Sequence, residues 1–214
     1  MKTVVITGAS SGIGLEFCRQ YQQSGWKVTA VCRTASSELQ QLKTEVISDV
    51  DLQQPQQRTN LVSQLKQYSV DLLINNAGVM LPSHLEQLNH EGILQQFVVN
   101  ALAPLDLAVG LAPHLKPGSK IAMISSRMGS IAGNTSGGSY GYRMSKVALN
   151  MACRSLSYDL KAKQIAVGVY HPGYVKTKMT SGNGYITAEE SVRGLVNHIN
   201  ALDPNQQQLE FVHT

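Results

Sequence analysis

The chain is poor in cysteine, in aromatic residues and in charge. Cys18, Cys32 and Cys153 are its only cysteines in 214 residues and form no C-x-x-C pair. That excludes a disulfide framework and suits a reducing compartment, so all three read as packing residues. The six histidines include His84 and His90, but no cysteine or carboxylate cluster joins them at ligand spacing, and no metal is expected. Charged residues make up only 15%, and the 18 basic ones are scattered without a stripe or aromatic interleaving. A net charge of +4 and a pI near 9.0 therefore describe a mildly basic surface, and no nucleic-acid partner is expected. Apolar runs are broken by Gly, Ser, Asn or Pro before membrane-spanning length, so no membrane partner is expected either. The N-terminus carries one Lys and a short apolar stretch, unlike a signal peptide, which makes the cytoplasm the expected location.

What is present begins at once. Val4, Val5 and Ile6 give way to Thr7, Gly8, Ala9, Ser10, Ser11, Gly12, Ile13 and Gly14, and a helix-like run through Leu15, Phe17 and Tyr21 follows. Glycines let the chain turn tightly and bring backbone N–H groups against an anion, while the start of a helix adds partial positive charge. The spacing T-G-x-x-x-G-x-G differs from the common G-x-G-x-x-G fingerprint. A glycine-rich turn without a ligand is the alternative, and later residues must decide between the two.

With 43% hydrophobic residues, the length fits a single domain over 1–214. Strand-like runs at 3–7, 26–32, 44–48, 70–75, 119–125, 164–169 and 208–212 alternate with helix-like ones at 12–24, 36–43, 55–67, 89–114, 140–162 and 187–201. Such alternation predicts an α/β fold, a Rossmann-like, three-layer, doubly wound sheet of about seven parallel strands with helices on both faces. Ligands of these sheets sit beyond the carboxyl ends of the strands. The loop Gly133 to Gly138 lies just before the helix expected at Tyr140.

Tyr142 and Lys146 are four apart at the start of that helix, hence on one face. A phenol has a pKa of about 10, and a nearby ammonium would stabilise the phenolate enough to make it a usable acid or base. Y-x-x-x-K also arises by chance on helix surfaces. The order of motifs carries more weight: the glycine loop, then Asn75-Asn76-Ala77-Gly78, Ser125-Ser126, Tyr142 with Lys146, and Pro172-Gly173-Tyr174-Val175-Lys176-Thr177.

Together these resemble the short-chain dehydrogenase/reductase family over nearly the whole chain. The segments S-S-R-M-G-S-I and Y-R-M-S-K-x-A-L-N look most like its C-factor and sniffer-like carbonyl reductase branch. The resemblance implies NADP(H)- or NAD(H)-dependent hydride transfer between a carbonyl and an alcohol. In it Tyr142 is the acid/base, and Lys146 lowers its pKa and holds the nicotinamide ribose. Ser126, preferred over Ser125, binds the substrate carbonyl, and Asn100 supports a proton-relay water. Ser130 and Ser139 fall inside the intervening loop. The implied cofactor contacts are Gly8, Ser10, Ser11, Gly12, Ile13 and Gly14, with Asn76, Ala77 and Gly78. Asp49 and Val50 would meet adenine, the alternative for Asp49 being a turn or helix cap. Pro172, Gly173, Val175 and Thr177 would meet the carboxamide.

At the end of the second strand a carboxylate would select NAD, but the chain reads Val31, Cys32, Arg33, Thr34. A guanidinium there suits a 2′-phosphate, so NADP(H) is favoured over NAD(H), with Thr34 as a second contact. An exposed arginine at a strand end is the plain alternative. Lys178 stands where the branch usually has an acidic residue, and Met179 to Ile186 is short for a lid, which implies an open substrate site. Partners implied are a small carbonyl or alcohol and a second copy of the chain in a homodimer. A signalling protein that binds NADP(H) with little turnover is the alternative reading.

Overall fold

The protein's structure, a computed structural model, describes residues 1–204 and 212–213. β1 (Thr3–Thr7) is buried along its whole length, with Val4 and Ile6 in one apolar core and Val5 in another. The same alternation runs through β4 (Leu72–Asn75) and β5 (Lys120–Ile124): Leu73, Ile121 and Met123 join Val5, while Leu72, Ile74, Ala122 and Ile124 join Val4. Strands apolar on both faces must be covered on both, which is why their sequences are near-continuous hydrophobic runs.

The covering helices are amphipathic. On one face lie α1 (Gly12–Gln23), through Phe17 and Tyr21, the short α2 (Ser37–Gln41), through Leu39, and α7 (Ala188–Ala201), through Val192, Leu195 and Ile199. On the other lie α3 (Pro55–Leu65), α5 (Ala103–Leu111) and α6 (Tyr140–Asp159), through Leu61, Leu107 and Leu149. With β2 (Lys27–Val31), β3 (Glu45–Ile47), β6 (Ala166–His171) and β7 (Val212–His213), the sheet has seven parallel strands in the order β3-β2-β1-β4-β5-β6-β7. The doubly wound expectation holds. The chain winds outward from β1 to β3 and then returns to pair β4 on β1's other side, so a crevice opens beyond the carboxyl ends of β1 and β4. Residues 208–211 of the expected last strand lie outside the described residues.

The helix expected over 89–114 is not one uniform helix. It runs as α4 (His90–Phe97), a π-helical stretch Val98–Leu102, α5 and a closing turn at Ala112–His114. Pro104 has no N–H, so the carbonyl of Asn100 has no donor four residues on, and the Ala103 N–H bonds Val98 O, five residues back. The run His90–His114 is also, contrary to the sequence reading, long and apolar enough to cross a bilayer, with a mean hydropathy of 1.4. Half of that window is buried inside the fold. Ala101, Ala103, Leu107, Ala108 and Leu111 of this run pack in the core.

Candidate active site

The loops after β1 and β4 are stitched together. Thr7 Oγ1 accepts from the backbone N–H groups of Asn76 at 3.0 Å and Ala77 at 3.1 Å, while Asn76 Nδ2 donates to Thr7 O at 3.0 Å. This close approach explains two glycines. A Cβ on Gly8, which has φ +67°, would lie 2.8 Å from Ala77 Cα, and one on Gly14 would lie 2.2 Å from Gly8 O. Neither position admits a side chain. No side chain caps the start of α1, so its first N–H groups are left for an anion.

A cleft of about 540 Å³ opens over this loop. Gly8, Ser10, Ser11, Gly12, Ile13 and Gly14 form one wall; Arg33, Thr34 and Val50 close one end; Asn76, Ala77 and Gly78 line the centre. Tyr142, Lys146, Pro172 and Thr177 meet at the other end. The cradle and the basic end fit a phosphorylated dinucleotide.

Five expected residues do not line the cleft. Asp49 is exposed, sits at φ +60° and accepts a hydrogen bond from Ser48 Oγ at 2.7 Å, the turn role that was its alternative. The carboxylate that faces the cleft is Asp51, two residues on. Its backbone is turned inward because Asp49 N bonds Arg33 O at 3.0 Å and Val50 N bonds Cys32 O at 3.2 Å. Val175 is buried and its carbonyl accepts from Thr180 Oγ1 at 2.9 Å, while Gly173, with φ +85°, turns the chain ahead of it. Asn100 and Ser126 stand behind and beside the reactive pair.

Tyr142 is 8% exposed and Lys146 4%. The lysine ammonium lies 5.7 Å from the Tyr142 ring centroid and donates to Ile124 O at 2.9 Å. Burial pushes the Tyr142 hydroxyl up to about 12, and a hydrogen bond from Ser126 pulls the other way. Burial pushes Lys146 down to about 8. The Lys146 ammonium keeps two further donors beside its bond to Ile124 O, next to the Tyr142 ring. The two serines now separate. Ser125 lines the cleft, but its hydroxyl donates to Asn150 Oδ1 at 2.7 Å; Ser126 Oγ accepts from Met128 N at 3.1 Å and is the serine that pulls the Tyr142 hydroxyl down.

Asn100 is fully buried. Its Oδ1 accepts from Val79 N at 2.8 Å, and its Nδ2 donates to Val79 O at 2.8 Å and to Ser145 Oγ at 3.0 Å. Ser145, missed in the sequence, passes this on by donating to Tyr142 O at 2.7 Å. Both donors of the Asn100 side chain are thereby used.

Arg58 was also missed. Buried in α3, it pairs with Asp106 at 2.7 Å and donates to Leu52 O at 2.8 Å and Gln53 O at 3.1 Å, fixing the wall beside Val50. An arginine within an amphipathic helix gives no sequence signal for that role. Lys178 and Met179 complete the lining.

The family model for short chain dehydrogenase matches residues 2–185. The chain belongs to the short-chain dehydrogenase family. Among family members, it is 34% identical over 210 residues to 1-hydroxy-2-glutathionyl-2-methyl-3-butene dehydrogenase of Rhodococcus sp. (strain AD45), covering 95% of this chain and 93% of that one. It is 44% identical over 138 residues to C-signal of Myxococcus xanthus, covering 63% and 83%. Among solved structures of the family, the carbonyl reductase Sniffer of D. melanogaster superposes with a TM-score of 0.90 at 29% identity, covering 99% and 96%. A short-chain dehydrogenase/reductase from Burkholderia multivorans, solved with bound NADP, superposes at 0.87 with 28% identity, covering 95% and 92%.

Proposed function

We propose that the protein is an NADP(H)-dependent oxidoreductase that reduces a carbonyl to an alcohol or runs the reverse. The observation that carries this reading is the union, in one cleft, of a glycine cradle at one wall, an arginine at one end and a buried Tyr142 beside Lys146 at the other. Gly8 to Gly14 would hold the pyrophosphate, Arg33 and Thr34 the 2′-phosphate, and Pro172 and Thr177 the carboxamide. Bound there, the nicotinamide supplies or accepts the hydride.

Tyr142 stays protonated at neutral pH, so it enters carbonyl reduction as the proton donor to the carbonyl oxygen. Ser126 donates a hydrogen bond to the same oxygen and polarises it as negative charge develops. Lys146, still cationic at neutral pH, stabilises the phenolate left after transfer. Asn100 ties Val79 to Ser145, and Ser145 donates to Tyr142 O, so Asn100 helps hold the turn that carries Tyr142. The NADP-bound relative and the carbonyl reductase Sniffer support this cofactor and reaction type.

The likeness to C-signal favours a second reading, a signalling or regulatory protein that binds NADP(H) with little turnover. One experiment separates the two: NADPH consumption measured against a panel of aldehydes, ketones and quinones. Oxidation of NADPH by wild type with at least one carbonyl, abolished in Tyr142→Phe, supports the enzyme; tight NADPH binding with no turnover on any of them supports the regulator. A homodimer is supported by exposed Leu94 and Phe97 on α4 and exposed Met144 and Met151 on α6, an apolar band suited to a second copy. Sedimentation equilibrium that returned only monomer would refute it.

A further inference from the structure

Asn150 lies on α6 one turn beyond Lys146 and two beyond Tyr142, so the three residues share a helix face. Its side-chain amide is divided between the two flanks of Ser126. On one flank Oδ1 accepts from Ser125 Oγ at 2.7 Å; on the other, Nδ2 donates to Gly129 O at 3.1 Å. A carbonyl can only accept, so Gly129 fixes which end of the amide faces it, and Ser125 Oγ must then be a donor. Between the flanks runs a single tight turn, Arg127–Gly129, in which Ser126 Oγ accepts from Met128 N at 3.1 Å and Gly129 N donates to Ser126 O at 2.9 Å. The bond from Met128 occupies an acceptor site of the Ser126 hydroxyl and leaves its O–H to donate, as polarising a carbonyl oxygen requires.

The turn lies directly against the helix. A Cβ on Gly129 would come within 2.9 Å of both Asn150 Nδ2 and Lys146 C, so a side chain there would push the turn off α6. From the sheet side, Ser125 N donates to Tyr170 O at 2.7 Å and Arg127 N to His171 Nδ1 at 3.3 Å. β6 therefore holds one side of the turn, and Asn150 ties the other to the helix that carries Tyr142 and Lys146. Asn150 itself stands outside the cleft lining.

We infer that Asn150 is a positioning residue for the reaction: by holding Ser125 and Gly129 together against α6, it sets where the Ser126 hydroxyl stands relative to Tyr142. This rests on the carbonyl-reduction reading above and extends it to a residue outside the expected set. A hydroxyl that polarises a carbonyl works only within hydrogen-bond reach of the oxygen, and a displacement of about 1 Å is enough to lose most of its effect. Loss of the Asn150 amide frees both flanks of Ser126 and leaves the glycine cradle as it was. The consequence falls on turnover and passes through Ser126 alone.

The test is a double-mutant cycle on the full chain, with kcat measured on a carbonyl that wild type reduces and NADPH binding followed by fluorescence titration. Ser126→Ala should lower kcat about a hundredfold. Asn150→Ala should lower it about tenfold, with the NADPH dissociation constant changed less than about twofold. In the Ser126→Ala/Asn150→Ala double variant kcat should equal that of Ser126→Ala, because a residue acting through a hydroxyl has nothing to act on once the hydroxyl is gone. Ser125→Ala removes one of the two ties and should show the same pattern at roughly threefold, which keeps the test open if Asn150→Ala does not fold. Losses that multiply in the double variant would make Asn150 a merely structural residue and overturn the inference, as would unchanged kcat in Asn150→Ala or a parallel loss of NADPH binding. The underlying reading fails separately: if wild type turns over no carbonyl, or Ser126→Ala retains full turnover, the catalytic assignment falls and this inference with it. If Ser126→Ala loses turnover while Asn150→Ala and Ser125→Ala keep it, only the inference falls.

Discussion

The two ends of the cleft are built on opposite principles. At the Tyr142 end the polar groups are buried and mutually bonded: Lys146 on Ile124 O, Asn100 on Val79 and Ser145, Ser125 on Asn150. At the Arg33 end Arg33 and Thr34 are exposed, and Ser36 spends its hydroxyl on capping α2 at Leu39 N. Chemistry needs groups fixed within a fraction of an ångström in low dielectric, whereas recognition of a mobile phosphate tolerates solvated charges. Substitutions at the first end should therefore change turnover, and at the second, affinity and its salt dependence.

The sharpest break of that contrast is Tyr142→Phe. It should lower kcat with every carbonyl by about a thousandfold, roughly 4 kcal/mol, while NADPH still titrates into the cleft. Retained turnover would remove the acid from the mechanism. Gly14→Ala comes next, because its methyl would meet Gly8 O at 2.2 Å. A loss of about 2–3 kcal/mol in urea unfolding is expected, together with loss of nucleotide binding. At the exposed end, Arg33→Ala should raise the KM for NADPH about tenfold, leave that for NADH near its wild-type value, and shrink the difference in high salt.

The last prediction concerns pH. Lys146 is held at about 8 in the folded cleft, below its ordinary value of 10.5. Between those two values the unfolded chain binds the extra proton, so folding stability rises with pH in that window, by on the order of 1 kcal/mol per pH unit. Tyr142 works the other way above its ordinary 10, towards about 12, where the unfolded chain has already lost the proton that the folded one keeps. Urea midpoints measured from pH 7 to 11 should rise between 8 and 10 in wild type and stay flatter in Lys146→Met.

Much of this contrast was legible in the sequence, for a local reason. The glycine loop, Arg33 and the Tyr142/Lys146 pair are fixed by residues within a few positions of one another, at strand ends or on one helix face. The alternation of Val4 and Ile6 against Val5 likewise needs only the period of a strand. What escaped depends on partners far away in the chain. Whether Ser125 or Ser126 faces the tyrosine is decided by Asn150, and Asp51 replaces Asp49 in the cleft because the backbone bonds to Arg33 and Cys32 twist the turn. The break in the long helix was in principle readable from Pro104, whose missing N–H leaves Asn100 O without its usual donor.

Arg58 has a consequence for how the cleft fills. By tying the carbonyls of Leu52 and Gln53 to Asp106 of α5, it sets the shape of that wall before any ligand arrives. Little backbone entropy is then lost when a nucleotide enters, so affinity reflects the contacts themselves and association needs no slow rearrangement of this wall. In Arg58→Met the same contacts would form only after the wall had been ordered, and the deficit would appear as slower capture of the nucleotide more than as faster release.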